Sequence, residues 1–560
     1  MTASPASHDD SASAAGIDYD VIIVGAGFSG VYQLRRLRER GFSVVLLEAG
    51  SDLGGVWNAI RYPGARVDSH GALYQFTDEE LWSDWDYSQM FPDHTEVRAY
   101  FDYIDSKLDL RRDCRFNTKV TASRFDSSTD SWTVETEPGD VLTTRFLVFA
   151  TGSTVEPYEP NFANTDRYTG TLVHTSRWRD DIELSGKRVA VIGTGASGVQ
   201  MIQEAGSVAE KLTVFQRTPN LALPMRQKDL DVEGRAKIKR SLPERYDMVT
   251  KTFGAVDYEF DPRNAVDVTP EVREDVYSKL WDEGGFSFWM GNFADTLFDA
   301  KSNAFAYEFW KNEVRRYITD PAKIELLAPS EPPHPFGAKR PSLQQNYYEV
   351  MSQSNVDIVA VGDTPIQEFT ERGIRTADGV EREFDVIVLA TGYDNNTGAM
   401  NAIDIRNADG QSLKDKWSDG VDNYLGAFTN GFPNLAFVYG PQSTAGFSNG
   451  PTAAELQGDL LIDLFEFLRA ESVTRFESTE EADVAWTAEI EEIHDQTLFK
   501  LASSWFNAGN IPGKHRQLLQ YPGGMPTYRE RWTTERDSGY STGLTLSSPT
   551  REPQPSMNLS

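Results

Sequence analysis

Two glycine-rich hexapeptides, Gly25-Ala26-Gly27-Phe28-Ser29-Gly30 and Gly193-Thr194-Gly195-Ala196-Ser197-Gly198, have the residue types and spacing that bind phosphate through the main chain. In such a turn the first glycine permits the tight bend, the second lets backbone reach a pyrophosphate, and the third lets a helix pack on a strand. The helix that begins there presents unpaired N–H groups and the positive end of its dipole to an anion. A lone glycine turn is a weak signal. Here both copies lie between an apolar run and a segment of helical spacing, which is the context the motif needs.

The residue ending the next apolar run separates the two turns. Glu48 lies 18 residues beyond Gly30. A carboxylate there accepts hydrogen bonds from ribose hydroxyls and repels a 2′-phosphate. At the equivalent place, 19 residues beyond Gly198, stands Arg217, followed by Thr218. A guanidinium and a hydroxyl suit a 2′-phosphate. The first site is therefore expected to hold FAD and the second NADP(H), with Gly25, Gly27, Phe28, Ser29, Gly30 and Glu48 on one side and Thr194, Gly195, Ser197, Gly198, Arg217 and Thr218 on the other.

Positioning these turns requires strands and helices in βαβ order. Tyr19–Val24 reads as a parallel strand buried on both faces, Val31–Arg40 as a helix stopped by Gly41, and Ser43–Glu48 as the next strand. Arg188–Ile192, a helix from Val199, and Leu212–Arg217 repeat the construction. Two further strands, Arg145–Gly152 and Phe384–Gly392, both end in Ala-Thr-Gly, each downstream of one glycine turn. The pattern predicts an α/β fold with two Rossmann-like dinucleotide-binding domains, one inserted in the other. The expected division is 18–152 with 393–544 for FAD and 153–224 with 329–392 for NADP. Charged and aromatic residues interleave at helical spacing over 225–328, which predicts a helical insertion, and Ala453–Leu468 reads as an apolar helix packing on the first domain. Residues 1–17 and 545–560 are rich in Ser, Pro and Ala and are expected to be disordered tails.

Composition bounds the function. The 560 residues carry 54 Lys+Arg against 85 Asp+Glu, a formal net charge of −31. That balance disfavours nucleic acid and anionic membranes, which need surplus basic residues. The single cysteine, Cys114, excludes an internal disulfide, a cysteine-clustered metal site and the paired thiols of a disulfide reductase. No metal is expected. No apolar run approaches the roughly 20 residues that span a bilayer, and the start lacks the features of a signal peptide. A cytoplasmic enzyme, a monomer or small homo-oligomer, is the expectation.

Between the two turns lie Gly54-Gly55-Val56-Trp57, then Arg61-Tyr62-Pro63-Gly64-Ala65-Arg66-Val67-Asp68, and later Tyr168-Thr169-Gly170, His174 and Trp178. Taken alone, Asp68 is a helix-capping residue and His174 a hydrogen-bonded structural histidine. Together they resemble the type I Baeyer–Villiger monooxygenases, a family with a Gly-Gly-x-Trp…(Phe/Tyr)-Pro-Gly-x-x-x-Asp signature and a Phe-x-Gly-x-x-x-His-x-x-x-Trp-(Pro/Asp) fingerprint. The first matches from Gly54 to Asp68. The second departs at Tyr168, where Phe is usual, and at Arg179, where Pro or Asp is usual. Phe336-Gly337-Ala338-Lys339-Arg340, the loop Gly440–Asn449 and the stretch Trp505–Lys514 resemble further family segments, so the likeness runs from about Asp18 to Trp532.

The resemblance implies that NADPH reduces the flavin, that O₂ adds to give a flavin peroxide, and that the peroxide attacks a ketone to yield an ester or lactone. Such chemistry needs a fixed cation near a developing oxyanion and a site that excludes water. By resemblance, Arg340 is that cation and Asp68 holds it; without the resemblance Arg340 would read as a surface group. Lys339 joins Arg217 at the NADP phosphate or ribose, and Trp505 closes on the nicotinamide side. Gly55, Val56, Trp57, Arg66, Tyr74 and Val120 belong to the cofactor sites, and Phe447 and Gly450 shape the ketone pocket, Gly450 leaving room for bulkier ketones. The rival reading is a flavin monooxygenase that oxidises amine nitrogen or sulfur.

Overall fold

A computed structural model describes residues 16–137 and 139–548. The apolar run Tyr19–Val24 forms the central strand of an eight-stranded sheet and pairs in parallel with Val44–Leu47 on one side and Val141–Phe149 on the other. Val21, Ile22 and Ile23 are fully buried, as a strand covered on both faces requires. A second sheet has five strands, all parallel, in the order Val356–Ala360, Lys211–Gln216, Arg188–Ile192, Val386–Leu389, Thr171–His174. The chain then returns to the first sheet through Asp404–Arg406 and Leu435–Phe437. All strands of the second sheet thus lie between two visits to the first, so one Rossmann-like unit is inserted in the other.

The paired Ala-Thr-Gly segments have a physical purpose. Gly25 has φ +107°, and a Cβ on it would sit 2.6 Å from the Ala150 carbonyl oxygen. Gly193 has φ +108°, and its Cβ would sit 2.4 Å from the Ala390 carbonyl oxygen. Each strand end therefore packs directly on the glycine turn of its own unit, and only glycine fits there.

Residues 225–328 contain the helices Val232–Val249, Pro270–Glu283 and Ala300–Arg315 and no strand, as the interleaved pattern predicts. Helix starts lie upstream of the sequence expectation. The first-unit helix begins at Phe28 and the second-unit helix at Ala196, because Gly27 and Gly195 hold extended backbone at the N-cap. The apolar helix expected over 453–468 runs Gly450–Ala470, capped by the Asn449 side chain with Pro451 in its first turn; it packs on the first-unit helix.

Both expected tails need correction at their inner ends. Leu544–Ser547 is a strand paired antiparallel with Arg475–Ser478, and Leu544 is buried. Its Leu-Thr-Leu alternation is a strand pattern concealed in a polar run. At the other end, the Gly16 carbonyl oxygen accepts a hydrogen bond from Thr143. The remainder of the two expected tails, 1–15 and 549–560, lies outside the described residues. Among the described residues no helix is long and apolar enough to cross a membrane.

One buried carboxyl couples this packing to pH. Glu455, on the Gly450–Ala470 helix, is 5% exposed. Burial pushes its pKa up to about 8, against the pull of hydrogen bonds from the Thr77 main-chain N–H and hydroxyl. A carboxyl whose folded pKa lies above its unfolded one stabilises the fold at low pH, and that contribution fades as pH rises towards the folded value. Glu455→Gln is expected to flatten the decline in denaturant midpoint between about pH 4.5 and 8, leaving the variant more stable than the parent at pH 8. An unchanged slope would contradict this assignment.

Candidate functional site

At the first glycine turn, Gly27 caps its helix with no side-chain hydrogen bond, so the first-turn N–H groups stay available. A Cβ on Gly30 would stand 1.8 Å from the Gly25 carbonyl oxygen, and one on Gly55 (φ +54°) 2.8 Å from the Gly27 Cα. The Gly54-Gly55 turn is therefore pressed against the phosphate loop by bare backbone. Glu48 ends the second strand with its oxygens split between two main-chain donors, Ala26 N–H at 2.7 Å and Gly50 N–H at 2.6 Å. Each oxygen keeps a second lone pair, enough to accept ribose hydroxyls. Ser29 is buried in the first helical turn. Val56 and Trp57 open a short helix, and Trp57 Nε1 donates to the Tyr74 hydroxyl at 3.1 Å.

Two residues expected at this site turn their side chains into the core. The Phe28 ring packs on Tyr74, Phe76 and Phe101, and Val120 is buried in the core with Val24 and Leu47.

At the second turn, a Cβ on Gly198 would stand 2.3 Å from the Gly193 carbonyl oxygen, whereas one on Gly195 would meet nothing within 4 Å. The cradle is open where a phosphate must enter. Thr194 Oγ1 donates to the Thr218 carbonyl, joining the turn to the end of the next strand. Arg217 is exposed and has no carboxylate partner among the described residues. Burial and the nearby Arg217 charge pull Lys339 down to about 8, and it too lacks an ion pair among those residues. Two unneutralised cations side by side repel, and an anion between them relieves the repulsion. A dinucleotide 2′-phosphate fits that need.

The two units meet through Gln200, which the motifs do not mark. Tyr62 donates to Gln200 Oε1 at 2.6 Å, and Gln200 Nε2 donates to the Arg66 carbonyl at 3.0 Å. The Arg66 guanidinium itself turns to Gln89 and the Phe91 carbonyl. The turn-rich run before Asp68 was the available signal, since such loops cross between domains.

Arg340 lies at that junction. Its Nε and Nη2 each meet one Asp68 oxygen at 2.9 Å, a two-pronged pair. Nη1 donates to the carbonyls of Gly446 and Ser448 at 3.0 and 3.4 Å. The Phe286 ring lies 4.7 Å from the guanidinium carbon and the Trp289 ring 6.0 Å. Burial opposes the charge, but Asp68 more than offsets it and holds the group cationic. Phe286 and Trp289 come from the helical insertion, where a Gly-Gly followed by aromatics was the only hint.

Phe447 is buried among Phe253, Trp289, Phe499 and Phe506, with ring centroids 5.3–6.3 Å apart. Gly450 faces another wall: the nearest atom to its Cβ would be the Tyr74 hydroxyl at 3.7 Å. Trp505 packs edge-on to Phe506 at 4.6 Å, and its loop is tied down by Lys514 to Asp394 and by Asn510 to the Tyr393 carbonyl at 2.9 Å. The fingerprint positions make local contacts. Tyr168 uses its extra hydroxyl on the Phe384 carbonyl, His174 accepts from Ser176 N–H, and Arg179 pairs with Asp181 at the surface. Among the described residues no cluster of His, Cys, Asp or Glu could hold a metal.

A family profile described as flavin-binding monooxygenase-like matches residues 18–228. The chain is 47% identical over 530 residues to cyclopentanone 1,2-monooxygenase of Comamonas sp. (strain NCIMB 9872), covering 94% of this chain and 96% of that one. It is 35% identical to a Baeyer–Villiger monooxygenase of Pseudooceanicola batsensis (strain ATCC BAA-863 / DSM 15984 / KCTC 12145 / HTCC2597), with 94% and 96% covered. The chain belongs to the Baeyer–Villiger monooxygenases. Its fold agrees: the crystal structure of OTEMO in complex with FAD and NADP superposes with a TM-score of 0.91 at 34% identity, covering 95% of this chain and all of that one. The Arg217–Lys339 pair carries a pH signature. A 2′-phosphate is fully charged above its own pKa of about 6, so the dissociation constant for NADP⁺ is expected to be flat from pH 7 to about 8 and to rise several-fold by pH 9.5 as Lys339 loses its proton. The constant for NAD⁺ is expected to stay level, and titration calorimetry on both nucleotides checks it.

Proposed function

We propose that this chain converts a cyclic ketone into the corresponding lactone at the junction between its two dinucleotide units, with Arg340 and Asp68 as the catalytic pair. As a Baeyer–Villiger monooxygenase it is FAD- and NADPH-dependent. The flavin, reduced by NADPH, supplies activated oxygen from O₂ when bound. The observation that carries the reading is the doubly held Arg340: a cation fixed at 2.9 Å by Asp68 and at 3.0 Å by the Gly446 carbonyl, beside the apolar wall of Phe447 and Trp289.

The role of each group follows from charge. When the ketone carbon is attacked, its oxygen gains negative charge, and a preorganised guanidinium stabilises that charge without reorienting. Asp68 spends its charge on Nε and Nη2, which fixes the fork and leaves its remaining N–H for substrate. The aromatic wall keeps water from competing for the reactive oxygen. Gly25, Gly27, Ser29, Gly30, Glu48, Gly55, Val56, Trp57 and Tyr74 are read as the FAD side. Thr194, Gly195, Ser197, Gly198, Arg217, Thr218 and Lys339 are read as the NADP side, with Trp505 over the nicotinamide. Phe28, Val120 and Arg66 act on these sites through packing. The FAD half is read as 18–152 with 393–547, and the place of action as the cytoplasm.

Cyclopentanone is in the name of a 47% identical relative, which favours cyclic ketones over amines or thioethers. Arg340→Ala is expected to cut lactone formation by at least about 100-fold while FAD stays bound and NADPH still reduces it. A wild-type enzyme that oxidised a thioether and left cyclopentanone untouched would overturn the ketone reading. The open space at Gly450 is expected to extend turnover to rings larger than cyclohexanone. Gly450→Ala, whose new methyl would meet only the Tyr74 hydroxyl at ordinary contact, is expected to shift preference towards the smaller rings. A ladder of cyclic ketones that stops at small rings in the parent refutes this.

A further inference from the structure

Behind the Arg340–Asp68 pair lies a polar cluster that the reaction as described does not use. His70, two residues past Asp68, brings Nδ1 to 3.3 Å from Asp257 Oδ2. The same oxygen accepts from Arg245 Nη1 at 2.5 Å. On the other edge of the ring, Nε2 faces the Tyr258 hydroxyl at 3.5 Å. That hydroxyl oxygen accepts from the main-chain N–H of Phe286 at 3.4 Å. Phe286 is the residue whose ring covers the Arg340 guanidinium.

Every donor and acceptor in this chain of contacts has one consistent direction. A carboxylate only accepts, so His70 donates from Nδ1, and in that Nδ1–H tautomer Nε2 accepts. Tyr258 spends its proton on Nε2, which leaves its oxygen to receive the Phe286 N–H. Burial keeps the phenol protonated, and the Asp257 charge adds to the effect. The Phe91 ring backs His70 at 5.1 Å and fixes its plane.

The approach of Tyr258 to the Phe286 amide depends on Gly285, and the turn that leads to it on Gly284. Gly284 and Gly285 have φ of +78° and +59°. A Cβ on Gly285 would lie 2.5 Å from the Tyr258 hydroxyl, and one on Gly284 2.2 Å from Arg226 Cγ. A side chain at Gly285 would push the hydroxyl off the amide.

These contacts close a loop. Asp68 and Phe286 both hold Arg340; His70 is joined to Asp68 by main chain and to Phe286 through Tyr258. Asp68 and the two carbonyls restrain the guanidinium within its plane, whereas Phe286 restrains it perpendicular to that plane. We propose that His70, Asp257 and Tyr258 form a clasp that fastens the helical insertion to the Asp68 loop and sets Phe286 against Arg340, which makes them positioning residues for ketone oxygenation. The clasp rests on the reading of Arg340 as the cation that meets the substrate oxygen. Misplacement of a reacting group by about 1 Å can cost up to about 100-fold in rate, so a clasp this far from the substrate can still govern turnover.

The test uses the FAD-loaded enzyme and three variants: Tyr258→Phe, Asp257→Asn and the double variant. Each single variant is expected to lower kcat for cyclopentanone by about 5- to 30-fold, with KM within about twofold, and to raise the share of NADPH oxidised without lactone. The double variant is expected to be no worse than the poorer single one, because both cut the same chain. Phe286→Leu is expected to reproduce the loss, since it removes the ring and keeps the amide. A readout independent of turnover is the ¹⁵N spectrum of histidine-labelled protein at pH 8, with His70 assigned by His70→Gln. It is expected to show the Nδ1–H tautomer in the parent and a mixture in Asp257→Asn. An Nε2–H tautomer in the parent, additive losses in the double variant, or unchanged kcat in folded single variants would overturn the clasp. Full lactone formation by Arg340→Ala would instead refute the catalytic reading of Arg340, while the tautomer and the additivity still judge the clasp itself.

Discussion

A cation kept charged while partly buried is the demand around which the centre of the molecule is organised. Arg340 is 15% exposed and Asp68 35%, so both have lost much of their water, and a buried charge left unpaired is costly. Asp68 compensates that loss without consuming the whole guanidinium, because the fork has five N–H donors and a carboxylate takes two of them. The partners of Arg340 come from residues 68, 286, 289, 446 and 448. No local segment can supply that set. The interleaving of the two Rossmann-like units, and the helices placed between them, exist in the structure as the scaffold that brings these five positions together.

The glycine turns impose a second constraint, one of space. Gly25 against Ala150 and Gly193 against Ala390 show the same close approach in both units. Each turn thus depends on a strand far downstream of it, Val141–Phe149 in the first unit and Val386–Leu389 in the second. Packing at the turns and cofactor geometry are one problem in this fold, since any side chain that filled the gap would move the helix N-terminus as well. The outlying contacts between units, Tyr62 to Gln200 and Gln200 to Arg66, then set how the two anion-binding ends face one another.

Much of this was legible in the residues. The strand and helix of each unit follow from apolar runs and 3.6-residue spacing, which act over neighbours in sequence, and Glu48 against Arg217 gives the two turns unlike charge. The misreadings have equally local causes. Helix starts were placed late because glycine at an N-cap carries no side-chain signal. The strand Leu544–Ser547 was missed because its two leucines sit in a polar run and its partner, Arg475–Ser478, is some seventy residues away. The side chains of Phe28 and Val120 point into the core, which depends on what packs behind them.

The sequence by itself determined the two dinucleotide turns, their unequal charge and the α/β class, because those properties reside in short stretches whose physics is complete within about thirty residues. Tertiary structure alone decided that Asp68 grips Arg340 at two points, that Phe286 and Trp289 from the helical insertion cover the guanidinium, and that His70 reaches Asp257 and Tyr258. Those pairs are separated by up to 272 residues. Their contact depends on how whole units dock, and a charge or an aromatic ring carries no mark of its distant partner until the fold brings the two within a few ångströms.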